Sequence, residues 1–212
     1  MNAPPNFNRV ARLYRWAEYM TLGPILQHTR THFLPQLADR REALLFGDGD
    51  GRFLARLLEQ NPTLQATAVD ISATMLHLLR QRCARAASRM QALHTSAIEA
   101  NVPPGTDLVV THFFLDCLTQ TEVDILVQGI ATNTTPGTFW LLSDFQIPQR
   151  AIIRPFAAIY IRSLYLAFRI LTGLRVQSLP DPQAVLQQTG FVRIAHHETL
   201  FGLIYTEIWQ RQ

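Results

Sequence analysis

Lysine is absent from the sequence: all 19 basic residues among its 212 are arginines. A P-loop, which needs a lysine to reach nucleotide phosphates, is therefore excluded. Cysteine is nearly absent too, and the separation of Cys83 and Cys117 matches no metal-binding or redox spacing. No run of about 18 uncharged apolar residues occurs, so no membrane-spanning helix is expected. The stretch from Met1 to Trp16 lacks the apolar core of a signal peptide. Together these absences point to a reduced, cytoplasmic setting. The arginines are scattered, so the formal net charge of +3 gives no case for a nucleic-acid partner.

What is present suits one globular domain, since 48% of the residues are hydrophobic. Residues 6–38 read as two helices punctuated by Gly23-Pro24. Strands and helices then alternate. "EALLF", "LQATAVD", "MQALHTS", "TDLVVTHFF" and "GTFWLLSDF" read as strands. "GRFLARLLEQ", "SATMLHLLRQRCARAA" and "TEVDILVQGIATNT" read as helices, with Ser72 as an N-cap. Such alternation predicts a parallel sheet with right-handed crossovers and helices on both faces. An apolar, aromatic helical insert follows at 148–172. After it come the short helix "DPQAVLQQTG" and two strands, "FVRIAHHETL" and "LIYTEIWQ", paired as a hairpin.

The turn Gly47-Asp48-Gly49-Asp50-Gly51 joins the first strand to its helix. A dinucleotide turn requires G-x-G-x-x-G, and the third glycine position here is Arg52. Backbone N–H groups at a helix start attract anions, but Asp48 and Asp50 would repel a pyrophosphate. S-adenosylmethionine (SAM) resolves the conflict, because it carries a sulfonium and an ammonium and no phosphate. A carboxylate beside its methionine end is favourable, and glycine lets the backbone approach closely. Asp70 ends the second strand, 23 residues after Gly47. An acid there can accept both ribose hydroxyls. Ile71 and Met75 offer adenine an apolar face.

At these residues the sequence resembles the class I SAM-dependent methyltransferases, most closely their ubiquinone and menaquinone biosynthesis C-methyltransferase group. "FNRVARLYRWAEYMTLG" is similar to that group's leading segment. "HTSAIEANVPPGTDLVVTHFFLD" is similar to its stretch before and through the fourth strand, and "LPDPQAVLQQTGFVRI" to its late helix. The resemblance implies a Rossmann-like α/β fold. Its sheet would have seven mostly parallel strands with an antiparallel last strand, N-terminal helices and a helical insert after strand five. Residues 1–40 would form a helical cap, 41–147 the SAM-binding core, 148–175 a lid and 176–212 the closing helix and hairpin. It further implies methyl transfer from SAM, leaving S-adenosylhomocysteine, to a carbon or oxygen of a hydrophobic, aromatic or quinol-like small molecule. The expected SAM set extends to Ser96, Ala97, Ile98, Thr111 and His112. Four positions depart from the family pattern. Leu45 stands where an acid is usual, Asp48 where a small residue or cysteine is usual, and Ser96 and Arg15 where aspartates are usual. A SAM-binding protein without transferase activity is the alternative reading.

His112 lies at the carboxyl end of the fourth strand, the edge where open α/β sheets bind ligands, and Asp116 lies four residues on. With Tyr14 they form the candidate catalytic set. Tyr19, Phe113, Phe156, Tyr160 and Tyr165 are the candidate acceptor-binding residues. Arg154, Arg162 and Arg169 share one helical face of the insert, which suits a core helix, a lid over an apolar acceptor, or a helix lying on a membrane surface. That contact and a homodimer stay open. His28 and His32, one helical turn apart, find no third metal ligand in the sequence, so no metal is expected. His196 and His197 alternate across a strand and point to opposite faces.

Overall fold

Helix α1 (Gly23–Thr31) opens the described chain in this computed structural model, which describes residues 23–148 and 179–212. Strand β1 (Glu42–Phe46), helix α2 (Arg52–Gln60), strand β2 (Gln65–Asp70), helix α3 (Ala73–Arg82) and strand β3 (Met90–His94) follow. Next come β4 (Leu108–His112), α4 (Gln120–Asn133), β5 (Phe139–Phe145), α5 (Pro182–Gln188), β6 (Phe191–Thr199) and β7 (Ile204–Arg211). The strands form one sheet in the order β3-β2-β1-β4-β5-β7-β6. The first five are parallel, while β7 runs antiparallel to both β5 and β6. The expected seven-stranded sheet with a reversed last strand is thus observed.

Burial explains the strand sequences. β1 and β4 lie in the middle of the sheet with helices on both faces, so both sides of each strand must be apolar. Leu44, Leu45, Val109 and Val110 are accordingly buried. One core cluster joins Leu45, Val110 and Leu141 to the Phe53, Leu54, Leu57 and Leu58 face of α2. The other joins Leu44, Val109 and Trp140 to α4 and α5. Helix starts carry side-chain caps. Ser72 Oγ accepts the Met75 N–H, and Asp181 Oδ1 accepts the Ala184 N–H. Thr119 and Glu122 close a reciprocal capping box at the head of α4.

Two of the boundaries that differ from the sequence reading have a reason in the packing. The helix expected over 72–87 stops at Arg82 and continues as a tighter 3-10 turn, Ala84–Arg89. There Arg89 donates to the carbonyls of Leu58, Asn61 and Leu64 at 2.9–3.2 Å. Satisfying the open end of α2 in this way draws the chain off the straight helical path. The fourth strand stops at His112 rather than Phe114. Phe113 takes a left-handed backbone (φ 52°), uncommon for a bulky residue. The twist sends Phe113 into a satellite cluster with Leu26 and Ile204, and Phe114 toward Gly47.

The hairpin is anchored by a buried acid. The Glu207 carboxylate accepts from Arg193 (2.7 Å), His196 Nδ1 (2.8 Å), Gln183 (3.1 Å) and the Trp209 indole N–H (2.8 Å). Among the expected helices before the sheet, the described part is α1 and a 3-10 turn at Leu34–Leu37. The expected first helix and the insert at 148–172 lie outside the described residues, apart from Pro148.

Candidate functional site

The chain builds β1, β2 and β3 in one direction along the sheet and then returns to place β4 and β5 on the other side of β1. The carboxyl ends of β1 and β4 therefore flank the switch point, where open α/β sheets form a ligand crevice. The glycine turn leaves β1 at this point. Gly47, Gly49 and Gly51 all have positive φ, the conformation that glycine adopts without strain. A methyl group on Gly47 would overlap the Phe114 ring, and one on Gly51 would press on Leu79. One on Gly49 would meet nothing within 4 Å among the described residues. The middle of the turn is thus open ground for a ligand.

The two aspartates of the turn divide their roles. Asp50 is held by Arg82 (2.8 Å) and Arg52 (3.2 Å). Asp48 accepts the Leu54 N–H at 3.1 Å, and burial pushes its carboxyl up to about 7, against the pull of that N–H and of Arg30. A cation at this point would restore the charged form. Arg30, on α1, reaches over the same corner. Its guanidinium lies 5.1 Å from the centre of the Phe113 ring, and its charge acts on both Asp48 and His112.

Asp70 closes β2 with its Oδ1 accepting the Ser72 N–H at 2.8 Å. No described residue bonds its second oxygen. Burial lifts this carboxyl to about 6, with the Ser72 N–H and His94 opposing. Beside it Ile71 is exposed and Met75 half-buried, an apolar surface at the edge of the crevice. Ser96 Oγ accepts the Ile98 N–H at 3.3 Å and so caps its own turn. Ala97 and Ile98 line a cavity of about 220 Å³ against α4, together with Phe46, Leu126 and Ile130. Thr111 also belongs to the expected cofactor set. It is turned into the core, where its hydroxyl accepts the Trp140 indole N–H at 2.9 Å. Any contact it makes with a ligand falls to its backbone.

His112 is buried, and its ring meets the ring of Phe53 on α2 edge-on at 4.5 Å. Nδ1 lies 2.9 Å from Ser143 Oγ, and Nε2 is buried without a partner among the described residues. Burial, reinforced by Arg30, keeps the imidazole neutral far below its ordinary pKa. Asp116 is half-buried, and its N–H donates to Asp144 Oδ2 at 3.1 Å. Desolvation raises both carboxyls, Asp116 to about 6 and Asp144 well above the carboxylate range, where Asp116 adds to the effect. The Cys117 thiol donates to Asp116 and is itself pushed up by burial, so it stays a thiol. Asp144, Arg30 and Ser143 are absent from the expected site. For Asp144 a signal existed, since "LLSDF" ends a strand next to β4 at the ligand edge.

Of the remaining candidates, Tyr14, Tyr19, Phe156, Tyr160 and Tyr165 lie outside the described residues. Phe113 is described, and packs under α1 between Arg30 and Phe145. The sequence finds no neighbour for His28 and His32, whereas the fold supplies one: His197 stacks on His32 with ring centres 3.7 Å apart. Stacked faces do not converge their nitrogens on an ion. Among the described residues no group of three side chains is arranged to hold a metal, and no helix is long and apolar enough to cross a membrane.

Residues 44–139 match the family model of the methyltransferase domain. The fold is that of a class I methyltransferase. Mitomycin 7-O-methyltransferase superposes on this methyltransferase fold with a TM-score of 0.71 and 18% identity, covering 97% of this chain and 60% of its own. An O-methyltransferase family protein from Burkholderia thailandensis gives 0.73 and 18%, covering 98% and 61%. An N,N-dimethyltransferase acting on an aminoriboflavin, from Streptomyces davawensis, gives 0.68 and 16%, covering 98% and 62%. The chain thus spans about three fifths of the length of these structures. No curated protein matches it in sequence. The relatives named here are O- and N-methyltransferases, so the likeness to quinone C-methyltransferases rests on the sequence segments alone.

Proposed function

We propose that this protein binds SAM in the β1/β4 crevice and directs its methyl group to an aromatic small molecule. The observation that carries the reading is the crevice itself. An open glycine at the turn, a carboxylate oxygen of Asp70 with no described partner and an exposed Ile71 stand side by side, as ribose and adenine require. The donor set fits a cation without phosphate: Asp48, Asp70, Asp116 and Asp144 are acidic, and no lysine exists to hold a phosphate. SAM, when bound, supplies an electrophilic methyl on a sulfonium. Asp70 accepts the ribose hydroxyls. Asp48 and Arg30 face the two ends of an amino-acid zwitterion, one for its ammonium and one for its carboxylate. Asp116, a carboxyl raised by burial just past the end of β4, is suited to take a proton from an acceptor hydroxyl. Oxygen is therefore favoured over carbon as the methylated atom, and the relatives that are O-methyltransferases by name agree. Calorimetry with SAM tests binding. Transfer of labelled methyl to a panel of phenols and quinols tests chemistry. Binding without transfer would favour the alternative of a SAM-binding protein, to which the buried Leu45, replacing the usual acid, lends support.

The raised pKa of Asp48 makes a pH prediction. SAM, as a cation beside it, binds the ionised form, so binding should expel a proton near neutral pH. Affinity should climb as pH rises through about 7 and level off above it, changing by up to about tenfold per pH unit on the acid side. Without ligand the sign reverses. A carboxyl raised in the folded state contributes stability that is present at low pH and lost as pH rises through about 7. Calorimetry in buffers of different ionisation heat reads the proton. Asp48→Asn should abolish the steep part above pH 6, leaving the component of Asp70 near 6.

A further inference from the structure

The side chains of His112, Ser143 and Thr206 lie level on neighbouring strands, since His112 pairs with Ser143 across β4 and β5, and Ser143 with Thr206 across β5 and β7. All three are buried. Ser143 Oγ donates to Thr206 Oγ1 at 2.8 Å, and among the described residues its other hydrogen-bond contact is His112 Nδ1 at 2.9 Å. A hydroxyl has one proton. With that proton directed at Thr206, Ser143 faces the imidazole with a lone pair, so Nδ1 must carry the ring hydrogen. Nε2 is then a bare acceptor, and it is the ring nitrogen left buried without a partner among the described residues. An unsatisfied buried acceptor is costly unless a ligand donates to it.

We propose that Ser143 and Thr206 are positioning residues that fix His112 in its Nδ1–H form, so that Nε2 accepts an N–H of the ammonium of the bound amino-acid end of SAM. The inference rests on the SAM reading above and assigns one more contact within it. It also fits the neighbourhood. Arg30 lies over the ring of Phe113, the residue after His112, and its charge acts on His112 and Asp48 alike. An α-amino acid presents the complementary set: a carboxylate and an ammonium with three donor hydrogens. The opposite tautomer would turn an N–H toward the ammonium, two donors facing one another.

Thr206→Val isolates the effect, because it keeps the shape and removes the acceptor of the Ser143 proton. Ser143 can then donate to Nδ1, which moves the ring hydrogen to Nε2. The tautomer is read in the ligand-free protein from the ¹⁵N resonances of His112, assigned by their loss in His112→Gln. Wild type should show a protonated Nδ1 and a bare Nε2. Thr206→Val should show the reverse, with SAM affinity at least about tenfold lower, the range for a lost hydrogen bond to a charged group. Thr206→Ser should restore both. Should Thr206→Val fold poorly, Ser143→Ala, which removes the Nδ1 partner, should still lower the Nδ1–H population. A wild-type ring protonated on Nε2 would overturn the proposal, as would a Thr206→Val protein that loses SAM affinity with its tautomer unchanged. Failure of wild type to bind SAM at all would overturn the functional reading, and this role of Nε2 with it.

Discussion

Asp70→Ala is expected to bind SAM about 10- to 150-fold more weakly than wild type, equivalent to about 1.5–3 kcal/mol for hydrogen bonds to a charged group. The carboxylate stands at the end of β2 with one oxygen on the Ser72 N–H and the other without a described partner. Alanine removes both functions, so part of its effect would come from loosening the start of α3. Asp70→Asn separates them. Its amide oxygen can keep the Ser72 N–H, while its NH₂ cannot accept a ribose hydroxyl. Calorimetry should show a loss in both variants, with thermal stability lowered mainly in the alanine protein. Unchanged affinity in the asparagine protein would remove Asp70 from the cofactor site.

Glu207→Ala is expected to destabilise the fold by about 3–5 kcal/mol, the cost of leaving partners of a buried ion stranded. The carboxylate is wholly buried, and four donors from α5, β6 and β7 converge on it. The Trp209 indole N–H, itself fully buried, would lose its acceptor. Arg193 is 43% exposed and can turn to water, which places the loss toward the lower end. Urea titration or a melt reads the change, at about 2–4 °C for each kcal/mol in a chain of this size. Because the partners of Glu207 belong to α5, β6 and β7 and none to β1 or β4, the folded protein should keep its affinity for SAM. A smaller effect, below about 1 kcal/mol, would show that the hairpin is held by apolar packing alone.

The sheet could be read from the sequence because its strands declare themselves locally. β1, β4 and β5 are buried on both faces and carry apolar runs, Ala43–Phe46, Leu108–Val110 and Phe139–Leu142, and several of the turns between elements carry glycine or proline. The glycine turn and Asp70 were equally visible, since their relation depends on a fixed spacing along the chain. The rest depends on register between distant segments. Nothing near Ser143 announces that it faces His112 on one side and Thr206 on the other, 31 and 63 residues away. His197 meets His32 only because α1 lies across the hairpin. Arg89 ends a helix early for the sake of carbonyls up to 31 residues distant. Thr111 illustrates the same limit from the other direction. Its position at a strand end suggested the crevice, and strand alternation turned it to the face of Trp140 instead.

The reversal of β7 also gives the molecule a usable handle. Ile204 begins beside Phe145 at the crevice end of β5, and Arg211 finishes beside Gly137 and Thr138 at the other end. Eight extended residues cover about 25 Å. A fluorescent group at the exposed Gln212 would therefore sit a full strand length from the glycine turn. Its signal should follow the seating of the hairpin on β5 and remain indifferent to what enters the crevice.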